Sequence, residues 1–551
     1  MLRENTGQTE IREQTEISPG FFRLFPYFRL FRILSPAISL SLLLITSETL
    51  AQKKNTQQPP RQTSTTAEQR YAQGLELGQR GRFAEAIAAF REAVRLKPDW
   101  AEAHLDLGLA LQHHAQLDEA ISEMRAALNL KPELAEAHNA LGFALGQKGD
   151  LAGALAEFEI AIKYKPQLQE SHFRLGVTRW LVGQYKEAIA PLREATRLKP
   201  DHLEAHFYLG RSFHQMGSMA EAIDELRRAV ALGPRVAEAH SALGAALLAD
   251  EDFDGAIVAL RKALALKPDL YEARNQLGLA FIQKREADAA IAEFQYVLRH
   301  DPNNKVSLHN LGLALMQKAD YNAAIATYRQ LLALAPDDAE AHYNLGLAYK
   351  YKDDFPAAIE AFRRSTALQP NLQEAYYSLG VTLMQLGRLD EAISAFRGAV
   401  SAKPDFAEAH YTLGTALQQK GDLDEAISEF RAAIKIAPHS PQIHNTLGTA
   451  LRQKGDLEGA RAEFAEAARL NKLKSDNQAA IFATNTGIQK MKDGDLAAAI
   501  ERFEAAIKLD PQYAPAHYQL GLALQKKGNR EAAEAAFDRA RKIDPRLRTQ
   551  P

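Results

Sequence analysis

The chain has 551 residues, 67 of them basic and 69 acidic, for a formal net charge of −2, and it has no cysteine. The balanced charge gives no general attraction to nucleic acid or to an anionic membrane surface. Without cysteine, thiol catalysis, disulfides and cysteine-bound zinc or iron–sulfur sites are excluded.

Residues 1–66 differ in kind from the rest of the chain. Arg23, Arg29 and Arg32 precede an apolar run from Ile33 to Thr46, and Thr49 and Ala51 place small residues before a cleavage point. Residues 1–51 therefore read as a signal peptide or membrane-targeting segment, and the protein is expected to be exported, periplasmic or extracellular. The apolar run falls short of the roughly 20 residues that a transmembrane helix needs, so anchoring by residues 33–46 is the alternative, and it is the only expected membrane contact. Residues 52–66, rich in Gln, Thr and Pro, read as a disordered linker.

From residue 67 the chain repeats itself. Prolines recur at one constant spacing from Pro98 through Pro132, Pro166 and Pro200 and onward to Pro438, a period that marks a stacked-repeat architecture. The unit Ala407–Ser440 shows why. Leu413, Gly414 and Leu417 line one short amphipathic helix, and Leu423, Ala426, Phe430 and Ala433 line a second. Gly421 is expected to close the first helix, Asp422 and Glu425 to form a capping box on the second, and Pro438 to stop it. A single pair leaves one apolar face open, so neighbouring units must cover it.

The pattern His410, Leu413, Gly414, Ala426, Phe430, Ala433, Pro438 resembles the tetratricopeptide repeats, at the family's positions 4, 7, 8, 20, 24, 27 and 32. The resemblance implies an all-α, right-handed superhelical solenoid of about fourteen 34-residue helix-turn-helix units. Units 1–12 occupy 67–474, an insertion 475–479, units 13 and 14 the segment 480–547, and a tail 548–551. Units 2–11 keep phase without insertion or deletion, which reads as one continuous body, and the altered junction at Asn303, Asn304 and Val306 reads as variation. In unit 12 Lys472 stands in place of the proline, so its second helix is expected to run on to Lys474 before the polar Ser475, Asp476 and Asn477. Unit 14 ends in a helix with Phe537 and Ala540 inward and a polar outer face, as suits the end of a stack.

No phosphate loop, nucleophile elbow or metal-protease motif is present, and no catalytic residue, metal site or cofactor is expected. Nine histidines, among them His104, His138, His206 and His444, occupy position 4. Equivalent positions of neighbouring units stand roughly 10 Å apart, too far to share a metal at bonds of about 2 Å, so these histidines read as packing residues. Burial between helices is expected to depress their pKa, making stability fall with pH. Glutamate at position 2, as in Glu102 and Glu136, and lysine at position 14, as in Lys148 and Lys420, read as complements to the helix dipole.

The resemblance places first-helix positions on a concave, partner-binding face. Position 5 there carries Phe173, Phe207, Tyr343, Tyr377, Tyr411 and Tyr518, residues with the character of interface anchors or, equally, of covers for neighbouring helices. Glu at position 2 and Leu313 and Leu347 at position 9 depart from the carboxylate-clamp subtype. The units are most similar to the superhelical arm of the O-linked N-acetylglucosamine transferases, whose asparagine ladder is matched by Asn310 and Asn344. The expectation is a non-enzymatic scaffold for a protein or peptide partner, or alternatively a substrate-presenting arm of a separately encoded envelope enzyme such as a glycosyltransferase.

Overall fold

The computed structural model describes residues 66–547, and among them are 27 α-helices and no strand. The targeting segment 1–51, the linker up to residue 65 and the tail 548–551 lie outside the described residues. Thr66, assigned to the linker on sequence, caps the first helix, Ala67–Gln79. Its hydroxyl accepts from the Gln69 amide at 3.2 Å, and the Gln69 side chain accepts from the Thr66 amide at 3.0 Å, which closes a capping box. None of the described helices is long and apolar enough to cross a membrane.

The chain divides at Lys284 and Arg285 into two compact units, a division inside the seventh repeat that the unbroken phase gave no sign of. The first holds the helices from Ala67–Gln79 to Tyr271–Gln283, the second those from Ala287–His300 to Arg530–Ile543. Within each, a repeat is a pair of short helices, such as Gln169–Leu181 of 13 residues and Tyr185–Leu198 of 14 residues. Apart from those of units 12 and 14, each second helix also packs on the first helix of the following repeat.

The turn inside each repeat reverses the chain through a left-handed residue at position 15. Gly421 has φ 95° there, and Ala115, Glu251, Arg285, Ala319 and Asp353 take the same conformation at φ 60 to 63° without the freedom of glycine. The paired helices meet at position 8. A Cβ added to Gly414 would lie 2.7 Å from Cε1 of Phe430, so only glycine lets that ring fill the gap. Phe430, Ala426 and Ala433 are fully buried, and the same holds of Phe362 and Phe396 in their repeats. Burying each phenylalanine contributes about 1.5–3 kcal/mol.

Two expectations on helix ends change. Asp422 makes no cap bond to its helix; its carboxylate faces Lys420 at 3.5 Å, while Glu425 accepts from Arg397 of the preceding repeat at 2.7 Å. The residues of the expected capping box are drawn into other pairs. Asp150, Asp252 and Asp456 do cap their helices, each accepting from an amide three residues on at 2.8–2.9 Å.

The insertion 475–479 is not a break. One helix of 36 residues, Leu457–Lys492, joins the second helix of unit 12 to the first of unit 13, which is why fourteen repeats give 27 helices. No proline or glycine lies between Gly459 and Gly487, so nothing in the backbone stops the helix, and Ser475, Asp476 and Asn477 continue it. No residue from 471 to 479 is buried, so this stretch bridges two packed ends. The terminal helix Arg530–Ile543 buries Ala533, Ala536, Phe537 and Ala540 and leaves its other face polar, as expected.

Candidate interaction surface

Position 4 is a polar staple. In His104, His138, His206, His410 and His444 the Nε2 atom lies 2.9–3.2 Å from the proline carbonyl six residues back, and Nδ1 lies 2.5–2.6 Å from a glutamate on the second helix of the same repeat. Both ring nitrogens face acceptors. At His138 and His206 the geometry overturns the expected direction of the shift. At His206 the Glu225 carboxylate and the Pro200 carbonyl raise the pKa above the ordinary value despite burial. At His138 burial alone would lower it, and Glu157 with the Pro132 carbonyl together outweigh that. His172, His240, His342 and His517 keep only the carbonyl bond, because an alanine or proline replaces the glutamate in their repeats.

The charged positions read as dipole complements also have specific partners. Glu136 binds Lys165 of its own repeat at 2.6 Å, and Lys420 binds Asp390 of the preceding repeat at 2.9 Å, a spacing repeated by Lys148 with Asp118 and Lys454 with Asp424. These pairs are mostly exposed and individually contribute about 0–1 kcal/mol.

The position-5 tyrosines are half-buried braces. The rings of Tyr343, Tyr377, Tyr411 and Tyr518 stand 5.6–6.0 Å from Phe362, Phe396, Phe430 and Phe537 of their own repeats. Three of the hydroxyls reach position 6 of the next repeat: Tyr343 bonds Ser378, Tyr377 lies 3.5 Å from Thr412 and Tyr411 3.4 Å from Thr446. In the first repeat Tyr71 donates to Asp106 at 2.5 Å in the same way. Phe173 is buried against His202 at 4.5 Å, and Phe207 lies beside the Arg211 guanidinium, which also covers Trp180 at 4.4 Å. Asn310 and Asn344 are 7% exposed each, so little of either amide reaches the surface.

A small cavity of about 40 Å³, open to solvent at its mouth, lies on the first-helix side of units 1–4. Phe83, Phe90, Leu109 and Phe143 supply its apolar wall, and Asp106, His113, Glu136, Asn139 and Arg174 its polar groups. Arg174 lies 3.7 Å over the Phe143 ring and donates to Glu170 at 2.6 Å. His113 stacks on Phe83 at 4.7 Å, and burial lowers its pKa. Burial pushes Asp106 up to about 6, against the opposing hydrogen bond from Tyr71 and with the Glu102 charge adding to the rise. Sequence reasoning missed Asp106, Asn139 and Arg174. The readable signal was an acid at position 6, placed 35 residues after a tyrosine at position 5.

Family models agree with the repeat reading. The one described as TPR repeat matches residues 74–114, 312–353 and 489–528. Those described as tetratricopeptide repeat match 139–201, 173–237, 346–407 and 411–479, then 247–315 and 383–433, and finally 514–547. Among solved structures, the crystal structure of YrrB, described as a TPR protein with an unusual peptide-binding site, is 24% identical over 34% of this chain and 95% of its own, with a TM-score of 0.32. That of MamA protein is 35% identical over 30% of this chain and 91% of its own, at 0.29. MamA 41-end from Desulfovibrio magneticus RS-1 is 24% identical over 30% and 93%, at 0.28. No curated protein matches the chain.

Proposed function

We propose that this chain, which belongs to the tetratricopeptide repeat family, is a non-enzymatic scaffold that holds peptide or protein segments against the surface made by the first helices of its repeats. The cavity of units 1–4 carries this reading: it is walled largely by first-helix residues, and its groups Asp106, Asn139 and Gln112 bond to first helices of neighbouring repeats and not across their own helix pair. The position-8 glycines, the buried aromatics and the histidine staples hold the repeats together and leave that surface free for recognition.

Full-length protein carrying a photo-crosslinking amino acid at Gln112 should capture a discrete protein in the native organism, and the same group at Arg91 on a second helix should not. Equal capture from both positions would refute the reading. Export by residues 1–51 belongs to the same proposal, motivated by Arg23, Arg29 and Arg32 before the apolar run. N-terminal sequencing of the native protein should find a start near Gln52, and an intact Met1 in a cytosolic fraction would contradict export.

A further inference from the structure

The cavity of units 1–4 has an uneven charge balance. Two of its charged groups already have counter-ions: Glu136 is held by Lys165 at 2.6 Å, and Arg174 by Glu170 at 2.6 Å. Asp106 is different. Its one hydrogen bond among the described residues comes from the neutral hydroxyl of Tyr71, at 2.5 Å, and no lysine, arginine or histidine nitrogen pairs with it there. Glu102 adds negative potential at the same carboxylate. Tyr71 is itself fixed, its ring 4.4 Å from Trp100 and 5.7 Å from Phe90, so the carboxylate is held in one orientation at the cavity wall. A carboxylate that has lost part of its hydration and gained no cation is a site of unmet electrostatic demand.

The surrounding groups define what would meet it. Phe83, Phe90, Leu109 and Phe143 give an apolar passage suited to a hydrocarbon stem, with the acid as its polar end. A cation delivered on such a stem gains a charge-assisted hydrogen bond in a partly dehydrated setting. An anion would meet Asp106, Glu102 and Glu136 with the nearby cations already paired. We propose that the Asp106 cavity is a pocket for a single basic side chain, lysine or arginine, of an extended segment in the protein partner. This rests on the scaffold reading and deepens it by fixing the charge of the ligand. The direction is opposite to a site that grips a carboxylate tail.

Protonation bears on the pocket in a definite sense. Asp106 titrates at about 6, so the carboxylate is mostly ionised at neutral pH and neutralised in mild acid. His113 also lines the cavity, and its protonation at low pH would repel a cation in the same direction, while Glu136 and Arg174 stay in their ion pairs.

The test uses the full-length protein and acetylated, amidated five-residue peptides of alanine with lysine, arginine, norleucine or citrulline at the centre. At pH 7.5 the lysine and arginine peptides should bind about tenfold more tightly than norleucine and citrulline respectively. Asp106→Asn should bring the ratio to about one while leaving the norleucine peptide's binding unchanged and without lowering the thermal melt. The ratio should fall between pH 7.5 and pH 5 in wild type, and fall less in Asp106→Asn, where His113 alone still titrates. Peptide binding without charge preference, or a preference that survives Asp106→Asn, overturns the pocket and leaves the scaffold reading standing. If no peptide binds, the pocket is overturned as well, and the crosslinking yield at Gln112 then decides whether the scaffold reading falls with it.

Discussion

His206 Nδ1 lies 2.5 Å from Glu225 Oε2 across the two helices of one repeat, while its Nε2 lies 2.9 Å from the Pro200 carbonyl. With an acceptor at each nitrogen, only the imidazolium donates both bonds. Glu225 and the Pro200 carbonyl raise the folded pKa above the unfolded value of about 6.5, with burial and Arg228 opposing. A raised folded pKa gives stability that is fully present below the unfolded value and is lost as pH rises through the folded one. The stability advantage of wild type over His206→Gln should therefore be larger at pH 5.5 than at pH 8 in urea melts. An advantage that grows with pH would show that burial outweighs the carboxylate.

Tyr328 fills in unit 8 the place that phenylalanine takes in most repeats. Its side chain is fully buried and its hydroxyl has no hydrogen-bond partner among the described residues. Tyr328→Phe removes an unsatisfied polar group without changing the ring, so it should raise stability by about 1–2 kcal/mol. A loss of that size would mean that the hydroxyl has a partner.

The left-handed turn residues give a paired test. Ala319 sits at φ 62° where Gly421 sits at φ 95°. Ala319→Gly should stabilise by up to about 1 kcal/mol, the relief of left-handed strain less the entropy that glycine adds to the unfolded chain, and Gly421→Ala should destabilise similarly. Urea melts of the two variants should move in opposite directions, and movement in one direction would refute the shared turn.

Tyr343, Tyr377 and Tyr411 can be assigned a role by a substitution that keeps their rings. As braces, the three changed together to Phe should cost about 1 kcal/mol or less for each hydroxyl bond and leave partner capture unchanged. As anchors, the same variant should weaken capture with no change in melting. Changing all three to Ala would strip the packing on Phe362, Phe396 and Phe430 and so mix the two effects.

The constant proline period made the repeat boundaries, the helix pairs and the buried set legible, because each rests on local spacing and on what only glycine, alanine or proline permits at its place. The pairs that connect Tyr71 with Asp106 or Lys420 with Asp390 were not legible in that way, since partners so far apart in sequence become neighbours only once repeats are stacked. The histidine shift was misread for a related reason: burial at position 4 was foreseeable, but the glutamate 19 residues on was not recognised as its partner. The fused helix Leu457–Lys492 shows the opposite limit. Polar Ser475, Asp476 and Asn477 looked like a break, yet a helix that meets no proline or glycine is free to continue.

The scaffold account is tested most directly by where a partner lies. Photo-crosslinking residues placed one at a time at Gln112 and Arg211 on first helices, and at Arg91 and Arg363 on second helices, should be compared in the full-length protein within its native organism. The account predicts that one and the same protein is captured from the first-helix positions and lost from the second-helix positions. Capture from Arg91 and Arg363 in equal or greater yield, or no discrete protein from Gln112 and Arg211, would contradict it.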